Sequence, residues 1–269
     1  MEFGKVATDG LVLLGCGKMG GAMLAGWLAE GLSPEAVHVI DPKPSEWLVS
    51  QGVHLNKALP GAPAMTILAV KPQMMGDALP QVAALSGKTV FLSIAAGTTI
   101  AALEQALGTG ASVIRAMPNT PAAVGRGITA IIGNEAVGAP DIALAEALLS
   151  AVGQTVRLDS EADMDAVTAV SGSGPAYVFH MIECLAAAGE AEGLSPDLAM
   201  ALAKATVGGA GVLAEESEED PAQLRINVTS PNGTTQAALE VLMNDADGLP
   251  SLMKRAVAAA ANRSRELGR

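Results

Sequence analysis

Short apolar runs and stretches of helical period alternate along the first 160 residues. LVLLG (11–15), VHVID (37–41), TILAV (66–70), TVFLSI (89–94) and SVIRAM (112–117) have the length and apolar continuity of buried strands. Helical patterns begin near Met19, Ser45, Met74 and Thr99. A helix rich in Ala and Leu at 141–151 lies between two further strand candidates, ITAIIG (128–133) and TVRLD (155–159). Strands that are apolar throughout and separated by helices predict a parallel sheet covered on both faces. The expected fold of residues 1–160 is therefore a doubly wound α/β domain.

After Asp159 the strand-like runs stop. Apolar residues recur at helical spacing, which predicts helices over about 162–170, 174–192, 196–217, 221–228, 234–244 and 249–266. Ser195-Pro196 and Asp220-Pro221 read as N-caps followed by proline at the first helical position. Residues 161–269 are thus expected to form a second, all-helical domain. One stretch interrupts it: INVTSPNGTTQAAL (226–239) crowds Thr229, Ser230, Asn232, Thr234 and Thr235 around a helix start. A turn this rich in donors at a helix N-terminus is the pattern of an anion site.

Aromatic residues make up only 2% of the chain against 50% hydrophobic residues, so the core must be built from Ala, Val, Leu, Ile and Met. Small side chains bury little area each, and the Ala-rich helical half is expected to need a partner subunit. The net charge of −12 argues against nucleic acid and anionic membranes as partners. Cys16 and Cys184 are too few for a disulfide framework and show no metal-ligand spacing. EESEED (215–220) reads as a solvated helix end. No continuous apolar run approaches the roughly 20 residues needed to span a bilayer, and MEFGKVATDG lacks the basic and apolar regions of a secretory signal. The expectation is a soluble cytoplasmic protein with no membrane partner.

The first strand runs directly into Gly15-Cys16-Gly17-Lys18-Met19-Gly20, and a helix follows. In that context G-x-G-x-x-G is a dinucleotide fingerprint. Gly15 permits the tight turn, Gly17 lets a pyrophosphate approach the backbone, and Gly20 lets helix and strand pack closely. Lys18 and Met19 open the helix whose N-terminal N–H groups would face the phosphates. The domain is then Rossmann-like. Asp41, closing the second strand, could accept from the adenosine ribose of NAD; Lys43 and Ser45 could instead hold a 2′-phosphate, so the cofactor is NADH or NADPH. Further candidates lie where later strands should end: Ala69, Val70, Lys71 and Pro72 after the third, Ala95 after the fourth, Pro118 and Asn119 after the fifth.

GCGKMGGAM, AVKPQ, SIAAG, MPNTPA, SGSGPAYVF and VTSPNGTT, in this order and across essentially the whole chain, resemble pyrroline-5-carboxylate reductase. The last two segments are the specific ones. The resemblance implies a Rossmann-like domain followed by a helical substrate-binding and dimerisation domain, its helices interleaved between two subunits. It implies a homodimer, which some relatives build into rings of dimers, and an active site shared between the cofactor domain and the dimer helices. Carried over by position, Ser230, Gly233 and Thr234 would bind the carboxylate of a small cyclic imino acid, and Thr235 would bond its ring nitrogen. Asn232 stands where many relatives have glycine; Asn tolerates a left-handed backbone.

The implied chemistry is hydride transfer from C4 of the reduced nicotinamide to the C=N carbon of 1-pyrroline-5-carboxylate, giving L-proline, the last step of proline biosynthesis. Tyr177 and His180 are the acid candidates one helical turn apart, with Cys184 four residues beyond His180. Both are read as packing residues, leaving Thr235 as the group at the nitrogen. A β-hydroxyacid dehydrogenase would need a lysine shortly after a glycine-rich segment of the helical domain, but no lysine occurs between Lys88 and Lys204. A nucleotide sensor without catalysis would not require the hydroxyl-rich loop.

Overall fold

The computed structural model describes residues 3–268. The elements in order are α1 (Gly4–Asp9), β1 (Leu11–Leu14), α2 (Lys18–Ala29), β2 (Val37–Ile40), α3 (Glu46–Ser50), β3 (His54–Leu55), β4 (Met65–Leu68), α4 (Met75–Ala78), β5 (Val90–Ser93), α5 (Ile100–Leu107), β6 (Ser112–Met117), β7 (Gly127–Gly133), α6 (Ala139–Ser150) and β8 (Gly153–Arg157). Then come α7 (Met164–Val167), α8 (Gly174–Ala191), α9 (Pro196–Glu216), α10 (Pro221–Asn227), α11 (Thr234–Leu242) and α12 (Leu249–Leu267). Side chains start three of these helices as the sequence leads one to expect. Ser45, Thr99 and Asp220 accept from the N–H groups of Leu48, Ala102 and Gln223. Ser195 occupies the N-cap of α9 without such a bond.

Eight strands form one sheet in the order β3-β2-β1-β4-β5-β6-β7-β8. Both faces of β1 are buried, and its alternation separates the core in two. Leu11 and Leu13 join Met23, Leu24 and Trp27 on one side; Val12 and Leu14 join Phe91, Leu103 and Val113 on the other. Trp27, fully buried, donates its indole N–H to the Leu148 carbonyl at 2.7 Å. The expected all-parallel sheet needs one correction, because β7 runs antiparallel to β6. Only residues 118–126 connect the two, and a parallel crossover needs a dozen or more. β3 and α1 were not expected.

Residues up to Gly172, together with those from Ala261 on, form one compact unit, and Ser173–Ala260 form a second. In the second, α8 packs on α9 through Ala186, Ala199 and Ala203, the only fully buried apolar cluster among its described residues. Gly189 sits at this contact; a Cβ there would meet Leu194 Cδ1 at 3.3 Å and Ala199 Cβ at 3.4 Å. Phe179, Met181, Leu198, Leu202 and Leu213 remain exposed. The expectation about bilayer length is also corrected. α9 has 21 residues, a mean hydropathy of 1.3 and 11% of its apolar window buried, so it is long and apolar enough to cross a membrane. Its alanines and leucines outweigh Asp197 and Lys204, although no uninterrupted apolar run exists.

Candidate active site

The strand order reverses direction between β1 and β4, where neighbouring strands are followed by helices on opposite faces, and in open α/β sheets the carboxyl ends at such a point are where ligands bind. Gly15 stands at that edge with φ +88° and donates its N–H to the Ile40 carbonyl at 2.8 Å. A Cβ there would lie 2.8 Å from Val70 Cγ1 and 2.9 Å from the Ala69 carbonyl oxygen. A Cβ on Gly20 would lie 2.7 Å from the Gly15 oxygen and 3.3 Å from Ala69 Cβ. Gly17 differs from both. It is the N-cap of α2, no side chain caps the helix there, and a Cβ on it would meet nothing within 4 Å. Two glycines thus close the turn against β4, and the third leaves backbone open to a ligand.

Asp41 follows β2 beside this turn. Its Oδ2 accepts from the Cys16 N–H and its Oδ1 from the Lys43 N–H, both at 2.8 Å. Asn56, unnoticed in the sequence, holds the backbone on the other side. The Asp41 N–H donates to Asn56 Oδ1 at 2.9 Å, and Asn56 Nδ2 donates to the Asp41 carbonyl at 2.8 Å. Asn56 adopts φ +51°, which its side-chain type tolerates. Burial, and then the Asp41 carboxylate, push the Cys16 thiol up to about 11, so it stays protonated at neutral pH. Ser45 caps α3, while Lys43 is exposed.

Lys18 is exposed and Met19 packs against the core. The Ala69 N–H donates to the Leu14 carbonyl at 2.8 Å, Val70 is half-buried, and Lys71 and Pro72 open an exposed single turn. Ala95 and Pro118 are buried at the ends of β5 and β6. Asn119 Oδ1 accepts from the Ile128 N–H at 2.9 Å, and its Nδ2 donates to the Ser171 carbonyl at 3.3 Å. Its amide therefore ties together the chain around this end of the sheet. The open backbone at Gly17, the uncapped helix start and the small residues on this edge fit a dinucleotide.

In the second unit, Asn232 takes φ +59°, and its N–H donates to Gln236 Oε1 at 2.7 Å. The Gly233 N–H closes the turn on the Ser230 carbonyl at 3.0 Å, and Gly233 becomes the N-cap of α11 with no side chain capping it. Thr229 is not part of the free cluster, since its hydroxyl donates to the Arg225 carbonyl at 2.6 Å. Among the described residues no hydrogen bond engages the hydroxyls of Ser230, Thr234 or Thr235. These three therefore gather at one helix N-terminus with uncapped N–H groups, positive in potential. His180 is not packed within its unit. It is exposed, with Nδ1 3.0 Å from Glu183 Oε2 and Nε2 3.6 Å from Cys184 Sγ. Tyr177 is half-buried in the first turn of α8.

A glycine turn that fits a dinucleotide on a doubly wound sheet, in a chain that continues into a helical segment with a hydroxyl-rich turn, is the pattern of the nicotinamide-dependent oxidoreductases. Residues 161–267 match the family model described as pyrroline-5-carboxylate reductase dimerisation, and residues 11–97 match one described as NADP oxidoreductase, coenzyme F420-dependent. The chain is 39% identical to the pyrroline-5-carboxylate reductase of Pseudomonas aeruginosa, covering 97% of this chain and 98% of the relative. It is 41% identical to that of Synechocystis, covering 96% and 98%. The solved pyrroline-5-carboxylate reductase of Coxiella burnetii superposes with a TM-score of 0.90 at 34% identity, over 97% of this chain and 99% of the other. The NADP-bound enzyme of Plasmodium falciparum gives 0.85 at 28% identity, over 98% and 99%. The chain belongs to the pyrroline-5-carboxylate reductase family.

Proposed function

We infer that this protein reduces 1-pyrroline-5-carboxylate to L-proline with NADH or NADPH. The observation that carries the reading is the turn at the start of α11, where the hydroxyls of Ser230, Thr234 and Thr235 have no hydrogen-bond partner among the described residues and no side chain caps the helix. Family membership across nearly the full length and the dinucleotide cradle support it.

The bound reduced nicotinamide supplies the hydride for the C=N carbon. The chain's own part is to bind and orient. Ser230, Thr234 and the N–H groups that follow Gly233 at the start of α11 hold the substrate carboxylate, an anion at a helix N-terminus, while the Gly233 N–H itself closes the turn on the Ser230 carbonyl. With the carboxylate fixed, Thr235 meets the ring nitrogen with its hydroxyl and stabilises it as the protonated iminium is consumed, so no strong acid is required. Gly15, Gly17, Lys18, Met19 and Gly20 seat the pyrophosphate. Asp41 and Lys43 face the adenosine ribose, and Ala69, Val70, Lys71, Pro72, Ala95, Pro118 and Asn119 border the nicotinamide half. Fixing both reactants converts a bimolecular encounter into an oriented one.

A homodimer belongs to the same reading. Three buried alanines are too small a core for the second unit, and the exposed apolar positions of α8 and α9 lie within the segment matched by the dimerisation model. A second copy, not lipid, is the cover we assign to α9, and a cytoplasmic enzyme is the setting we assign to the protein. Thr235→Ala tests the mechanism. Turnover should fall by about 10²-fold, the scale of losing one oriented donor, with the Kd for NADH and NADPH unchanged. Wild-type turnover in the variant would remove Thr235 from the reaction.

A further inference from the structure

β3 is a two-residue strand at the edge of the sheet, next to β2. Strands are usually longer, yet the chain from His54 to Ala58 is fastened to β2 along its length. His54 and Leu55 lie opposite His38 and Val39, and the two imidazole rings are 4.5 Å apart between centroids. His38 Nδ1 is 3.0 Å from the Ala58 carbonyl oxygen, and the Asn56 N–H donates to the Val39 carbonyl at 2.8 Å. Because β3 runs parallel to β2, this pairing delivers Asn56 to the carboxyl end of β2, where Asp41 stands.

Asn56 spends its side chain on one residue, 15 positions earlier in the chain. Its Oδ1 accepts from the Asp41 N–H at 2.9 Å, and its Nδ2 donates to the Asp41 carbonyl at 2.8 Å. An asparagine that only stabilises a turn bonds backbone about two residues away; among the described residues this amide bonds nothing in its own turn. The residue also holds φ +51°, a conformation most side chains avoid. The Asp41 carboxylate is braced separately, by the Cys16 N–H on Oδ2 and the Lys43 N–H on Oδ1. Each carboxylate oxygen keeps a further lone pair. With backbone and side chain both tied, Asp41 can accept from a ribose hydroxyl but cannot rotate aside. A phosphate on that ribose would meet a fixed negative charge.

We propose that Asn56 is a positioning residue that sets cofactor choice. By clamping the Asp41 backbone it fixes the carboxylate for the 2′-hydroxyl of NADH and against the 2′-phosphate of NADPH. The proposal rests on the reading of Asp41 as the residue at the adenosine ribose.

The test is calorimetric titration of the full chain with NADH and with NADPH, in wild type, Asn56→Gly, Asp41→Ser and the double variant. Glycine adopts φ +51° without strain, so Asn56→Gly removes the amide and keeps the turn. Its ratio of Kd for NADPH to Kd for NADH should fall roughly three- to tenfold, the scale of one lost hydrogen bond, chiefly because NADH binds more weakly. A merely structural asparagine would not move this ratio, since a shortage of folded protein affects both cofactors alike. In the Asp41→Ser background the same substitution should leave the ratio unchanged. A wild-type ratio in Asn56→Gly would overturn the proposal, as would an equal shift with and without Asp41. A wild-type ratio in Asp41→Ser would overturn the ribose reading on which the proposal rests. Wild-type protein that binds neither cofactor would overturn the dinucleotide reading itself.

Discussion

The three glycines of the Gly15–Gly20 turn should separate folding from binding. Gly17 has φ −70°, ordinary for alanine, and a Cβ there meets nothing within 4 Å. Gly17→Ala loses some N-cap preference but gains about 0.4–1 kcal/mol by restricting the unfolded chain, so the net change should lie within about 0.5 kcal/mol. Gly20→Ala drives a methyl to 2.7 Å from the Gly15 oxygen, an overpacking cost of about 1–3 kcal/mol. Gly15→Ala adds to a similar clash a left-handed backbone costing about 1–2 kcal/mol, for a total of about 2–5 kcal/mol. At about 2–4 °C per kcal/mol, thermal midpoints should rank wild type and Gly17→Ala together, then Gly20→Ala, then Gly15→Ala. Titration by nicotinamide fluorescence should show Gly17→Ala binding NADH or NADPH at least about tenfold more weakly, about 1.4 kcal/mol, although it is as stable as wild type. A stable Gly17→Ala with wild-type affinity would refute the assignment of that backbone to the pyrophosphate.

Three other perturbations bear on the same unit. Asp41 is pinned by two backbone N–H groups and cannot swing away from a 2′-phosphate, so Asp41→Ser should raise the ratio of kcat/KM for NADPH over NADH; an unchanged ratio would remove Asp41 from cofactor choice. Arg115 is 6% exposed and bonds Glu161 Oε1 at 2.6 Å, and the same oxygen accepts from the Ile100 N–H at the start of α5. Glu161→Ala strands that buried cation and should cost about 3 kcal/mol in urea unfolding; a midpoint equal to wild type would contradict the pairing. Burial, then the neighbouring His54 ring, 4.5 Å away between centroids, hold His38 below its ordinary 6.5. The unfolded chain therefore takes up this proton first. The contribution of His38 is fully present above pH 6.5 and is lost as pH falls through that value toward the folded pKa. His38→Gln should flatten this part of the urea midpoint's pH profile, and an unaltered profile would count against it.

The central strands β1, β4 and β5 were legible because their runs are apolar and buried on both faces, and the glycine turn because its spacing after a strand leaves few alternatives. β3 was not, since two residues, His54 and Leu55, carry no period. Neither was the reversal of β7, which depends on the length of the connection and not on the strand's own residues. The roles of Asn119 and Asn56 escaped for a related reason. An amide that bonds chain segments far away in sequence leaves no local pattern. The hydroxyl turn was visible as a cluster, but only coordinates separate Thr229, spent on the end of α10, from Ser230, Thr234 and Thr235.

The central claim is tested most directly by mixing the purified protein with 1-pyrroline-5-carboxylate and following loss of the reduced nicotinamide's absorbance, with NADH and NADPH in parallel and the product identified. The expected result is oxidation of at least one cofactor with stoichiometric formation of L-proline. Folded protein that binds the cofactor but oxidises neither NADH nor NADPH in the presence of this substrate would contradict the account.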